Sequence, residues 1–423
     1  MIATGVARRR RAALGLVALA GAAALAASGC AAHRPTAAAA PVLRVGSSGD
    51  YPPFSVRAAD GTWSGFDVAV ARAYAAARGR RLELVPFRWP ELAARLAAGD
   101  FDVAMSGVTV RADRLLVGTM TAAVARAEAI VLVRHGAAPA AAVDRPGVRI
   151  AVNRGGHLER VARARLRYAT LVPVDDNRSL AELLATGAVA AVVTDTVEAA
   201  TFPAGAFAVA ARLGRDRKAY WVAPGRAALA ADLDAWLLAA ERDGTLPRLR
   251  TAWLAGAGAP ALAPELARVV DLAARRLMLM PAVAAAKRAA GLPIVDVRRE
   301  AEVVARAGAR ARSAGLEGAA AERFARAQID AARAVQAAAR ATAAESADAP
   351  ALATLRPRID VLDEATLAAL VAMRAAAPHV DGAAIATALR ADAGVAGFDE
   401  AHAGAIAAAI AALAAAPEAP LGH

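Results

Sequence analysis

Residues 190–199 read AAVVTDTVEA, an apolar run suited to a buried strand that stops at Thr194 and is followed by two carboxylates, Asp195 and Glu198. In an open α/β sheet the ligand cleft lies beyond the carboxyl ends of the strands, so side chains just past a buried strand face whatever binds. The same residues also read as a helix start, with Asp195 as N-cap and Glu198 complementing the helix dipole in the first turn. The surrounding chain decides between the two readings.

Outward from this stretch, residues 41 to about 256 alternate short apolar strands with amphipathic helices: VLRVGSS, a helix over 66–78, LELVPF, a helix over 89–98, FDVAMSG, AIVLV, VRIAV and a helix over 158–166. That alternation predicts an α/β fold. After Ala255 comes GAGAPALAP, a Gly/Pro/Ala connector, and beyond it apolar residues recur only at three-to-four spacing, over 265–290, 299–313, 318–344, 359–375 and 399–415. The expected organisation is an α/β domain at 42–255, a linker at 256–263, an all-α domain at 264–417 and a tail at 418–423.

The 423 residues carry 51 Lys plus Arg against 39 Asp plus Glu, a formal charge of +12. The basic residues are scattered through helical patterns rather than grouped with aromatics, which argues against a nucleic-acid partner. Residues 1–30 run from Arg8–Arg11 through ALGLVALAGAAALAA to Ser28, Gly29 and Cys30, the pattern of an export signal. It resembles a bacterial lipoprotein signal, in which Cys30 becomes a lipidated first residue and a membrane attachment point; ordinary cleavage nearby is the alternative. Residues 31–41 then form an Ala-rich tether, and the expected location is the periplasm or cell envelope. Removing the signal takes four arginines and no acid, and it leaves no thiol for an intramolecular disulfide. No His or Cys cluster calls for a metal, and no organic cofactor is expected.

Scarce residues are informative in so biased a chain. Only two of the cations are lysines, Lys218 and Lys287, and there are two Asn, Asn153 and Asn177, and two Gln, Gln328 and Gln336. Drift toward Arg and Ala leaves other types where their chemistry differs from the replacement, as a compact ammonium differs from a guanidinium.

LRVGSSGDYPPFSV (43–56), GTWSGFDVAVARAYA (61–75), WPELAARLAAGDFDVAMSGVTVRADR (89–114) and KAYWVAP (218–224) resemble the exported amino-acid-type solute-binding proteins. The resemblance implies two α/β lobes joined by two strand crossings, lobe one at about 42–134 plus 218–255 and lobe two at 135–217, with ligand clamped between them. It places Arg114 where such proteins fork a guanidinium onto a ligand carboxylate, with Ser106 and Thr109 as neighbouring donors and Trp63, Phe54 and Tyr51 as apolar walls.

VNRGGHLERVARARL (152–166), VPVDDNRSLAELLATG (172–187) and VVTDTVEA (192–199) sharpen this to a resemblance to cyclohexadienyl dehydratase, which converts prephenate to phenylpyruvate or arogenate to phenylalanine. The resemblance implies Glu198 as general acid, Asn153 as a substrate-orienting amide and Asp195 as a binding acid. The chemistry asks for such a set, because a ring hydroxyl leaves only if a carboxylic acid kept protonated by a desolvated cleft donates to it. Gly155 and Gly156, ahead of a helix, offer backbone N–H groups to an anion. His157 and Arg154 depart from the family pattern and leave the choice of prephenate or arogenate open. Lys218 falls in the matching segment without an evident role.

The segment LARVVDLAARRLMLMPAVAAAKRAAGLPIVDVRREAEVV (266–304) resembles the all-helical chorismate mutases, in particular the exported subclass. Arg276 and Lys287 are eleven residues apart, about three turns at ~3.6 residues per turn, and share a face if the helix survives Pro281. By the resemblance, Arg276 and Arg299 hold carboxylates, Lys287 serves the ether oxygen and a carboxylate, Glu300 takes the ring hydroxyl and Gln336 donates to the ether oxygen. Arg356, in LRPRIDVL, matches a further carboxylate-binding Arg. Two cations, an acid and an amide on inward faces of a bundle are costly to bury without an anionic ligand.

The two resemblances support one another, since the product of the second domain is the substrate of the first. The expectation is an exported bifunctional enzyme acting on chorismate and prephenate, with arogenate as a further candidate. The alternative is an amino-acid-binding or sensor protein whose helical part is a mutase or a dimerising bundle; oligomeric state stays open.

Overall fold

The computed structural model describes residues 40–136, 143–255, 261–342 and 350–415. The export signal with Cys30, nearly all of the tether, connector residues 256–260 and the tail at 418–423 lie outside the described residues.

The first part of the chain runs β1 (Val42–Ser47), β2 (Asp50–Tyr51), β3 (Ser55–Arg57), β4 (Trp63–Ser64), α1 (Phe66–Ala77), β5 (Arg81–Pro86), α2 (Leu92–Ala98), β6 (Val103–Ala104), α3 (Ala112–Leu115) and β7 (Thr119–Arg134). It continues through β8 (Arg149–Asn153), α4 (His157–Arg165), β9 (Thr170–Val174), α5 (Leu180–Ala185), β10 (Ala191–Asp195), α6 (Thr196–Ala199), β11 (Phe207–Val222), α7 (Ala227–Arg242) and α8 (Thr245–Leu254). Eight strands form one sheet in the order β5-β1-β6-β11-β7-β10-β8-β9, and β2, β3 and β4 form a small second sheet. The parallel strands β1, β5, β8, β9 and β10 carry helices in their connections, as parallel pairing requires.

The two 16-residue strands β7 and β11 pair antiparallel along almost their whole length and cross from one lobe to the other. The crossing falls earlier than residue 134. Val124, Ala125 and Ala127 of β7 belong to the first lobe's core, whereas Ala129, Val131 and Val133 pack in the second lobe, where Ala129–Val133 also pair with β10. The strand is continuous through the lobe boundary, so its apolar run gives no signal of where one lobe ends.

The remainder is helical: α9 (Pro264–Met278), α10 (Met280–Ala289), α11 (Val297–Ser313), α12 (Gly318–Thr342), α13 (Leu352–Ala376), α14 (Gly382–Ala393) and α15 (Glu400–Ala415). The expected helix over 265–290 is broken at Leu279, because Pro281 has no N–H to continue the ladder but is tolerated in the first turn of a new helix. Helix α14 has no counterpart in the sequence reading. No described helix is long and apolar enough to cross a membrane.

Helices α9 and α14 grip the two crossing strands. Buried Arg275 donates from Nη1 to the Met120 carbonyl at 2.5 Å and from Nη2 to that of Thr121. Arg217, on β11, bonds to Asp271 and, at 2.8 Å, to the Asp392 carbonyl. Arg126, on β7, closes a bidentate pair with the Asp392 carboxylate. One hydrophobic cluster runs through both parts, from Leu43, Trp221 and Leu233 to Leu266, Leu355 and Ile410.

Candidate functional site

The fully buried strand β10 delivers Asp195 to the end of the sheet, where it caps the helix that follows. One oxygen of Asp195 caps α6, accepting from the Val197 and Glu198 amides at 2.9 Å. The other meets the Tyr51 hydroxyl and the Lys218 ammonium, the latter at 3.0 Å. Glu198, on α6, is fully buried and accepts from Asn177 Nδ2 and Thr194 Oγ1, each at 2.6 Å. Burial first, and the neighbouring Asp195 second, push its pKa well above the ordinary carboxyl range.

Lys218 sits between Asp216 at 2.5 Å and Asp195 at 3.0 Å and also reaches the Tyr51 hydroxyl at 3.0 Å. Burial opposes its charge, yet the two carboxylates hold its pKa above the ordinary lysine value. Arg114 is buried, donates to the Thr109 carbonyl at 2.7 Å and stacks 5.5 Å over Trp221. Burial, with Arg111 adding to it, lowers its pKa to about 9. It has no hydrogen-bonded carboxylate among the described residues, which leaves it a cation in need of an anion.

These groups surround a small cavity, about 20 Å³, lined by Tyr51, Thr109, Arg114, Asn153, Gly156 and Lys218, with Trp89, Asn177 and His157 among its other walls. Asp195 and Glu198 stand one shell behind it, bonded to the lining residues Tyr51, Lys218 and Asn177. Three buried polar atoms of the lining, Asn153 Nδ2, Asn177 Oδ1 and His157 Nδ1, have no hydrogen-bond partner. Buried polar groups are nearly always paired, so three unpaired atoms around one cavity mark unspent binding capacity.

Three expected residues lie elsewhere. Ser106 is buried against Ser48, whose hydroxyl is 2.8 Å away, and does not line the cavity. Trp63 lies under the Arg57 guanidinium at 5.4 Å in the small sheet; the indole wall is Trp89, edge-on to Tyr51. Phe54 is buried behind Tyr51. Asn177 has no role in the sequence reading, although its scarcity could have found it.

The second site lies in the helical part. A cavity of about 210 Å³ is lined by Arg276, Lys287, Arg299, Glu300, Gln336 and Arg356, which brings together all of the expected residues of this part. Leu279 interrupts the helix without turning Arg276 and Lys287 apart, and both face this cavity. Asp296 caps α11 by accepting from the Arg299 amide at 3.0 Å. Arg276 Nε donates to Asp363 at 3.0 Å while its buried Nη1 has no partner. Lys287 donates to the Ile294 carbonyl at 2.5 Å, and burial, opposed by Glu300 and Asp296, lowers its pKa. Glu300 pairs with Arg333, which holds its pKa below the usual range. Gln336 leans its amide nitrogen on Met280 sulfur at 3.6 Å and leaves its Oε1 buried and unpaired. Among the described residues Arg299 and Arg356 form no side-chain hydrogen bond or ion pair. Arg333 and Asp363 are additional lining residues that the sequence reading did not name.

Residues 43–256 match the bacterial extracellular solute-binding proteins, family 3. The chain belongs to that family. Residues 267–337 match chorismate mutase type II. The cyclohexadienyl dehydratase of Pseudomonas aeruginosa is 33% identical over 236 residues, covering 50% of this chain and 82% of that protein. An L-cystine-binding protein of Escherichia coli is 27% identical over 159 residues, 37% of this chain and 60% of that one. A solved structure of an ancestral amino acid-binding protein, described as a precursor of cyclohexadienyl dehydratase, is 28% identical with a TM-score of 0.48 and covers 50% of this chain and 95% of that one.

Proposed function

We propose that the chain rearranges chorismate to prephenate in the helical part and converts prephenate to phenylpyruvate in the α/β cleft. The observation that carries the cleft reading is the buried Glu198, hydrogen-bonded only to the neutral donors Asn177 and Thr194, beside a lining with three unpaired polar atoms. A carboxyl whose pKa is raised by burial keeps its proton at neutral pH and can give it away.

With the cleft open to substrate and Asn177 drawn aside, Glu198 donates its proton to the departing ring hydroxyl, which leaves as water. The ring carboxylate leaves as carbon dioxide, and the electrons of that carbon–carbon bond complete the aromatic ring. Glu198 is left ionised and is reprotonated before the next turnover. Arg114 holds a substrate carboxylate and Asn153 orients it, while Gly156 and Thr109 line the approach. Lys218 is engaged by Asp216 and Asp195, so we assign it to positioning those carboxylates rather than to proton donation.

The mutase step needs no proton transfer. One C–O bond breaks as one C–C bond forms, and the protein's contribution is to hold the folded dicarboxylate and stabilise charge growing on the ether oxygen. Arg276, Arg299 and Arg356 offer guanidiniums to carboxylates, Lys287 and Gln336 face the ether oxygen, and Glu300 takes the hydroxyl. Gln336 donates at any ordinary pH because an amide carries no titratable proton.

The matched family is one of extracellular proteins, which agrees with export; attachment through Cys30 is part of this proposal and is checked by whether a Cys30→Ser chain leaves the membrane fraction. The function is tested by giving the full chain chorismate alone and following chorismate loss and phenylpyruvate formation together. Phenylpyruvate is the expected product. Prephenate accumulating instead would reduce the cleft to a binding site, and untouched chorismate would remove the mutase reading.

A further inference from the structure

Outside the small inner cavity lies a much larger one, of about 1020 Å³, and it is built by both parts of the chain. Thr109, His157 and Asp216 contribute to its wall, and Thr109 and His157 also line the inner cavity, so the two spaces adjoin. Its far side is helix α14, whose Ala384, Ala388 and Ala391 present small apolar side chains.

The charges around it are unevenly spent. Arg126 and Arg217 are satisfied by Asp392 and Asp271. At the rim, however, Arg111 and Arg160 share the single carboxylate of Asp113, with Arg160 at 3.4 Å. Arg215, also in the lining, stands 3.8 Å from Glu128, a carboxylate that Arg212 outside the cavity already engages. Among the lining residues Arg111, Arg160 and Arg215 face Asp113 and Glu128, while Asp216 in the wall is already paired with Lys218, so cations outnumber free carboxylates at the rim; Arg160 and Arg215 are 63% and 62% exposed, free to swing toward a ligand. The buried Nδ1 of His157 stands unpaired at the junction with the inner cavity.

We infer that this antechamber is a second carboxylate-binding site, which holds a ring-bearing dicarboxylate at the mouth of the cleft before it enters. The surplus of guanidiniums at the rim suits a carboxylate ligand, and the alanine face of α14 gives its ring an apolar surface. The inner cavity is too small to admit such a molecule unless the lobes part, so an outer holding place keeps the ligand near while they do. The inference rests on the dehydratase reading of the cleft.

Prephenate supplied to the full chain tests it. An Arg160→Ala/Arg215→Ala double variant is expected to raise KM for prephenate at least about fivefold with kcat within about twofold, since screened surface charge acts on capture rather than chemistry. The fall of kcat/KM with added salt is expected to flatten in the same variant, and Arg160→Lys/Arg215→Lys to restore both. Ala388→Glu, a change in the helical part, is expected to raise KM for prephenate in the same direction. Unchanged KM and salt dependence in the double alanine variant, or in Ala388→Glu, with a wild-type chain that converts prephenate, would overturn the antechamber alone. A wild-type chain inert toward prephenate would overturn the dehydratase reading and this inference with it.

Discussion

Glu198 is the residue on which the cleft's chemistry turns. Its two oxygens accept from Asn177 and Thr194, both neutral donors, and burial outweighs the more distant Lys218. Glu198→Gln keeps the shape and removes the proton, so phenylpyruvate formation from prephenate is expected to fall at least about 100-fold, while chorismate consumption is unchanged. Because the acid must be protonated to act, kcat falls as pH rises through its pKa, and burial beside Asp195 sets that alkaline limb well above the ordinary carboxyl range. Gln336 makes the opposite case. Gln336→Glu replaces a pH-independent donor with one that donates only when protonated, so mutase rate is expected to hold at low pH and decline as pH rises, against a flat profile for the wild type. The scarce residues were legible as a set: both Asn line the cleft cavity, and each lysine stands in a different site. What was not legible was partnership. Lys218 acquires its meaning from Asp195 and Tyr51, and Glu300 from Arg333, across separations in sequence that no local pattern reports. Trp63 and Trp89 are likewise indistinguishable as aromatics until the small sheet turns one of them away.

Successive side chains on a strand point to opposite faces, and β11 uses this between residues 216 and 218. Asp216 and Lys218 face the cleft, while Arg217 between them reaches Asp271 on α9 and the backbone of α14. Helix α14 therefore bears on the cleft without touching it. Asp392→Ala would leave Arg126 and Arg217 short of a buried partner. Removing one member of a buried pair typically costs about 3 kcal/mol, so the thermal midpoint is expected to drop, and the kcat of the dehydratase step to fall more than that of the mutase step. Equal losses in both activities would show that the contact is merely structural. Helix α14 escaped the sequence reading for a physical reason. GAAIATALRADA has alanine on its buried and exposed faces alike, so only Ile385 and Leu389 carry the apolar period. Where large apolar residues recur, as in α9 and α12, the helices were plain.

At the scale of the whole molecule, the Gly/Pro/Ala connector invites a reading of two separable domains. The described residues from Val42 onward instead form a single compact unit with one hydrophobic cluster passing through both parts. Calorimetry of the chain lacking its first 41 residues is expected to give one cooperative transition rather than two. A fragment ending at Ala255 is expected to melt lower than the intact chain, because it exposes Val269- and Leu272-facing surface and leaves Arg217 without Asp271. Two resolved transitions, or a fragment as stable as the whole, would count against this. The fold class was readable from alternating periods because those are local. The union of the two parts was not, since its polar contacts are made by arginines such as Arg275, Arg217, Arg126, Arg268 and Arg358, a few among many in a chain full of them.

Helix α9 carries Asp271 and Arg275 on the side turned to the crossing strands and Arg276 toward the mutase cavity. Each residue advances the helix by about 100°, so these assignments hold in one rotational phase only. Replacing the mutase part with another would therefore be a problem of phasing: a graft one residue too long would turn Arg276's neighbour into the cavity and withdraw the clamp from the crossing strands. The first turns of α9 set the register in which the two parts can be joined.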